Sequence, residues 1–103
     1  FEAIATEALA QIQRFNPQAL ANTAWAFATA GISSSRLFEA IAAESEKQMR
    51  RFNPQALANT AWAFATAGIS SSRLFEAIAA ESEKQMRRFD PQALANTAWA
   101  FAT

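Results

Sequence analysis

Pairs of glutamine and asparagine side chains recur along the chain at a spacing of 37 residues, which separates Asn22 from Asn59 and Asn59 from Asn96. A primary amide both donates and accepts hydrogen bonds, and the edge of a nucleobase requires both. Helical-repeat proteins that bind RNA present two or three side chains to each base. The candidates for base recognition are Gln18, Asn22, Gln55, Asn59, Gln92 and Asn96. Because the pair is the same each time, we expect a preference for a run of one repeated base.

Structural roles compete with this interpretation. Asn22 can instead cap or bridge neighbouring helices, and this alternative stays open. A tryptophan follows each amide pair, at Trp25, Trp62 and Trp99. These rings could stack on bases, but packing between repeats is the interpretation that their large apolar surface favours.

Basic side chains recur with the same spacing, just before each Asn-Pro or Asp-Pro pair. The candidates for phosphate contact are Lys47, Arg50, Arg51, Lys84, Arg87 and Arg88. They lie at the end of one predicted helix, beside the start of the next, where a phosphate would meet cationic groups and free helix N–H groups. The alternative is that these cations only complement the dipole of the helix that they end, with Glu44 and Glu46 nearby.

Composition excludes several classes of function. The chain has no cysteine and no histidine, and its 9 basic residues balance 9 acidic ones. Disulfides, thiolate chemistry and the commonest metal ligand are therefore absent, and no long-range field attracts nucleic acid or a membrane. Glutamates such as Glu44 and Glu46 lie on a predicted solvated face without a nucleophile or phosphate loop. We predict no catalysis, no metal, no cofactor and no small-molecule substrate. Since no apolar run reaches the length of a membrane span, we also predict no membrane insertion.

The whole chain is built from one repeated unit. Residues 15–51 and 52–88 are identical, and 89–103 repeats the start of that unit with Asp90 in place of asparagine. A period between 20 and 50 residues is typical of solenoids, whose units bury their apolar faces against each other. We expect one α-solenoid segment over 1–103, with full repeats at 15–51 and 52–88 and partial repeats at 1–14 and 89–103. The partial ends indicate a fragment of a longer array.

Each unit contains two predicted helices. The first, within NPQALANTAWAFATAG, begins at an asparagine N-cap with proline at the first helical position, and Gly31 follows its end. The second, RLFEAIAAESEKQMRRF, begins after serines that supply its N-cap and runs to the next Asn-Pro pair.

A helical wheel separates the two helices by their faces. One arc of the second helix is apolar apart from a serine, and is formed by Leu37, Phe38, Ile41, Ala42, Ser45, Met49 and Phe52. The opposite side is charged and is expected to carry ion pairs such as Glu46–Arg50. The first helix has no charged residue, and its one narrow polar stripe consists of Gln18, Asn22 and Thr29. We therefore expect the first helix to be the inner one.

These motifs resemble a known class of repeat. A 37-residue unit that carries LANTAWAFA and then LFEAIAAE is similar to the heptatricopeptide and octotricopeptide repeat proteins of algal and protist organelles. The resemblance covers the whole chain. It implies an α-solenoid that acts on organellar RNA, in a mitochondrion or a chloroplast. The chain departs from such arrays in having identical units and in carrying no domain beyond the repeats.

These observations predict an all-α fold, a right-handed superhelix of antiparallel helix pairs. The predicted function is binding of single-stranded RNA. The main alternative is a protein-binding scaffold or an architectural subunit inside a large organellar complex, such as a ribosome or a photosynthetic or respiratory assembly. A consensus or designed repeat would also account for the identity of the units.

Overall fold

The chain is all-α in the computed structural model, which describes residues 2–103. Within these residues the structure contains no β-strand, and its α-helices are α1 (Glu2–Gln11), α2 (Pro17–Thr29), α3 (Ser35–Lys47), α4 (Pro54–Ala67), α5 (Ser72–Lys84) and α6 (Pro91–Ala102). Short 3₁₀ helices follow α1, α3 and α5, at Ile12–Arg14, Met49–Arg51 and Met86–Arg88. None of the described helices is both long and apolar enough to cross a bilayer.

The predicted caps of α2, α4 and α6 are confirmed. Each helix begins with proline after an N-cap residue whose side-chain oxygen accepts a hydrogen bond of 2.8 Å from a backbone N–H three positions later. The N-cap residues are Asn16, Asn53 and Asp90. Gly31 and Gly68, just after the ends of α2 and α4, have φ angles of 77° and 71°. This left-handed conformation strains any residue with a Cβ atom, which explains why glycine occurs there.

The second helix of each unit ends earlier than the sequence pattern predicts. We expected it to continue to Phe52, but α3 ends at Lys47 and the chain then forms a 3₁₀ turn. The backbone of Gln48 leaves the helical region, with φ −104° and ψ 14°. The side chain of Gln48 bonds to the carbonyl oxygen of Phe15, far away in the sequence. A helical wheel of a single helix cannot show this hydrogen bond, because Phe15 lies outside that helix.

The helices form two rows. Helix α4 packs between α2 and α6, while α3 contacts both α1 and α5 on the other side of the molecule. Alanines fill the contact surfaces of α4 and allow the backbones to approach closely; Ala56, Ala58, Ala61 and Ala63 are buried. The three helices that carry the glutamine and asparagine pairs, α2, α4 and α6, therefore lie next to each other in one row, here called the amide-bearing row.

The predicted apolar face of α3 and the following turn is confirmed. All of its members are buried, namely Leu37, Phe38, Ile41, Ala42, Ser45, Met49 and Phe52. The ring of Phe38 packs edge-to-face on Phe64 of α4, with 5.0 Å between ring centroids. These contacts join the two rows of helices.

The prediction of a solvated charged face with a Glu46–Arg50 ion pair is partly wrong. Glu44 is only 9% exposed rather than solvated, because its carboxylate accepts a hydrogen bond from Gln48. The predicted Glu46–Arg50 pair does not form, since Arg50 lies in the 3₁₀ turn beyond the end of α3. Glu46 instead lies 3.6 Å from the guanidinium of Arg73 on α5, an exposed ion pair that contributes little stability.

Candidate nucleic-acid interface

Four side chains share one line along each helix of the amide-bearing row. On α4 they are Gln55, Asn59, Trp62 and Thr66, at positions i, i+4, i+7 and i+11. At 3.6 residues per turn, these positions fall within an arc of about 60°. The same residue types recur at the same spacing in α2 and α6, where the last of them, Thr103, directly follows the end of α6. Because the helices lie side by side, equivalent residues form rows across the molecule.

The amides line two neighbouring cavities along this row of helices. A cavity of about 400 Å³ between α2 and α4 is lined by Gln18, Asn22, Gln55 and Asn59, among others. A smaller cavity of about 70 Å³ between α4 and α6 is lined by Gln55, Asn59, Gln92 and Asn96. The two cavities lie on either side of α4 and share Gln55 and Asn59; together they are here called the amide groove. The structure thus brings all the candidates for base recognition together.

The amide groups in the groove have unused hydrogen-bonding capacity. Within residues 2–103, none of the groove-lining glutamine and asparagine pairs makes a side-chain hydrogen bond to protein. The alternative that Asn22 caps or bridges neighbouring helices therefore does not describe this structure. Each amide keeps its donors and its acceptor available for a ligand.

The tryptophans form a second row beside the amides. The ring centroid of Trp62 lies 6.1 Å from that of Trp25 and 6.3 Å from that of Trp99, with the ring planes tilted by 31° and 35°. These contacts confirm packing between repeats. Burial differs along the row: Trp25 is 45% exposed and Trp99 is 48% exposed, whereas the central Trp62 is partly buried and packs against the hydrophobic core. Each tryptophan follows an asparagine by three residues, and this spacing predicts that the two side chains lie on the same face of the helix.

The basic candidates are distributed over different surfaces. Arg51 lines the amide groove beside Asn53 and Gln55. Lys47 lies instead on the opposite side, in a cavity of about 670 Å³ between α3 and α5, and pairs with Glu44 at 3.8 Å. The other candidates lie outside the described lining of the groove; they are exposed and comprise Arg50, Lys84, Arg87 and Arg88.

Gln48, which belongs to none of the predicted sites, positions Arg51 at the groove. The side-chain amide of Gln48 donates to the carbonyl oxygen of Phe15 at 2.8 Å and to the carboxylate of Glu44 at 2.9 Å. Its oxygen accepts a hydrogen bond of 3.3 Å from Arg51. The next repeat has the same network, in which Gln85 bonds to Phe52, Glu81 and Arg88. Each network joins the start of a repeat to the end of the same repeat.

Comparison with protein families assigns the chain. The model of a family described as "Protein of unknown function (DUF1601)" matches residues 2–23, 33–60 and 70–97. The chain belongs to this family. The DUF1601 matches end at Thr23, Thr60 and Thr97, so they include each amide pair and stop before each tryptophan. Comparison with curated proteins gives no match.

Proposed function

We propose that this chain is a non-catalytic segment of a DUF1601 repeat protein that binds single-stranded RNA in the amide groove. One repeat would contact one base. The observation that carries the proposal is that all the predicted amides line one groove with no protein partner for their hydrogen bonds. Unpaired amides in a groove bind best to a ligand that offers both donors and acceptors, as bases do.

The fold required by this proposal is an α-solenoid, a right-handed superhelix with a 37-residue repeat of antiparallel helix pairs. Support comes from the regular recurrence of the capped helices α2, α4 and α6 and from the repeated DUF1601 matches. Such an arrangement extends the groove by one amide pair with each added repeat. The organellar location implied by the resemblance is part of the same proposal.

The tryptophan row beside the groove and Arg51 within it supply the other requirements of RNA binding. The tryptophan row presents aromatic rings beside the amides, and stacking on such rings contributes about 1–3 kcal/mol per base. Arg51 offers one contact to a phosphate. Because the groove contains little positive charge and the chain is neutral overall, we expect binding to be weak and only mildly sensitive to salt.

A protein ligand is the second candidate. The balance of 9 basic and 9 acidic residues and the carboxylate of Asp90 in the groove favour it, since both reduce attraction to phosphates. An extended peptide backbone also offers alternating donors and acceptors to a row of amides. This candidate assigns the chain a scaffold role.

The test is a binding assay against the four homopolymer RNAs at several salt concentrations. We expect binding to at least one homopolymer, and we expect Asn59→Ala to raise its Kd by about fivefold, the effect of losing one hydrogen bond. Gln13→Ala removes the same chemical group from an exposed position outside the groove, and should leave Kd unchanged. If no homopolymer binds at low salt, the RNA proposal is wrong and the scaffold remains.

A further inference from the structure

The N-cap residues of the amide-bearing helices also line the groove. Asn16 and Asn53 lie in the cavity between α2 and α4, and Asp90 lies in the cavity between α4 and α6. Asp90 is also the one position at which residues 89–103 differ from residues 52–66. The chemical difference between the repeats is thus located in the candidate interface.

Each N-cap side chain has one structural atom and one unused atom. Oδ1 accepts the capping hydrogen bond at 2.8 Å in all three residues. The other terminal atom makes no hydrogen bond within residues 2–103. That atom is Nδ2 in the asparagines, which only donates, and Oδ2 in Asp90, which only accepts and carries negative charge. The two parts of the groove therefore offer opposite chemistry at equivalent places.

Cytosine and uracil differ in the same sense. Cytosine carries an amino donor at position 4 and an acceptor at N3, whereas uracil carries a carbonyl acceptor at position 4 and a donor at N3. Replacing a donor by an acceptor in the protein therefore reverses the preference between cytosine and uracil. This holds whether the protein atom contacts the group at position 4 or N3. The difference between Asn53 and Asp90 is such an exchange.

We propose that Asp90 is a specificity-determining residue, and that the Asp90 and Asn53 subsites prefer opposite pyrimidines. This inference rests on the proposed RNA-binding function. It replaces the expected preference for a run of one base with a preference that changes between the two subsites. The two negative groups, Asp90 and the phosphates, also repel each other, so the RNA backbone lies away from this end of the groove.

The N-cap position allows a clean test, because asparagine and aspartate cap helices equally well. Asp90→Asn should leave the helix content and the stability unchanged while it changes the chemistry of the groove. Glu39→Gln is a matched control, since it removes the same charge from the outer cavity between α3 and α5. Both variants raise the net charge by one unit.

The experiment measures Kd by fluorescence anisotropy for a short oligouridine in which a single cytosine is moved one position at a time. In the unchanged protein, we expect the preference between cytosine and uracil at one position to be opposite to that at its neighbours, by about fivefold. Asp90→Asn should make this position the same as its neighbours. Asn53→Asp should create a second position of the Asp90 type, and Glu39→Gln should keep the original pattern.

The possible failures are distinguishable. If the unchanged protein binds no oligonucleotide at low salt, the proposed function and this inference are both wrong. If it binds RNA but Asp90→Asn keeps the pattern of base preference, only the role of Asp90 is wrong. A shift of the pattern in Glu39→Gln as large as that in Asp90→Asn would attribute the effect to net charge and overturn the inference in the same way.

Discussion

Replacing Leu57 by alanine is expected to lower the free energy of unfolding by about 3 kcal/mol, the usual cost of this change at a fully buried site. Leu57 is 0% exposed on α4, which packs between α2 and α6. Neighbouring helices on both sides limit how far the structure can collapse into the space that the leucine leaves. The cost is therefore that of a cavity as well as that of lost apolar burial.

The repeat supplies a control with the same local sequence. Leu94 occupies the equivalent position on α6 but is 42% exposed, so Leu94→Ala should cost less than about 1 kcal/mol. Urea unfolding followed by circular dichroism measures both values, with the slope compared between variants. Equal losses for the two substitutions would contradict the packing of α4 between its neighbours.

Replacing Trp62 by alanine is expected to weaken RNA binding by about 30-fold, within the range measured for loss of one aromatic stacking platform. Trp62 is the central ring of the tryptophan row, and both neighbouring rings lie close enough to contact it. Its removal interrupts the row at the point where a bound strand would have to cross. The effect should exceed that of Asn59→Ala, because stacking on a large ring contributes more than one exposed hydrogen bond.

Trp62→Phe separates stacking from folding. Phenylalanine keeps an aromatic face, so this variant should retain most of the affinity that Trp62→Ala loses. Titration of each variant with the best-binding oligonucleotide gives the Kd values, and urea unfolding shows whether either is destabilised. Unchanged affinity in Trp62→Ala, with the protein still folded, would exclude the tryptophan row from the interface.

Local sequence rules were sufficient for α2, for α4 and for the amide rows. Proline next to an N-cap residue, followed by a glycine at the far end, predicted the extent of α2 and α4 because both signals act within a single helix. The amide groove was also predictable, because identical units packed side by side bring Asn22, Asn59 and Asn96 into one row. Both predictions depend on short-range geometry and repetition alone.

The remaining features depend on contacts between residues far apart in the sequence, which periodicity does not describe. Gln48 ends α3 and buries Glu44 because its side chain reaches Phe15, 33 residues earlier in the sequence. How much of Trp62 is exposed depends on how α2 and α6 are rotated relative to α4. A helical wheel on which alanines and a tryptophan cover most of the surface does not define that rotation. The position of Asp90 in the lining of the groove depends on how α4 and α6 pack, which the sequence pattern does not define.

The tryptophan row gives the chain an optical property as well as a chemical one. The sequence contains 3 tryptophans and no tyrosine, so its ultraviolet fluorescence comes almost entirely from these rings. Indole rings about 6 Å apart are close enough for their excited states to couple, which produces a paired positive and negative signal in circular dichroism. A ligand that stacks on the row should quench the emission and alter that signal, so its binding can be followed without a label.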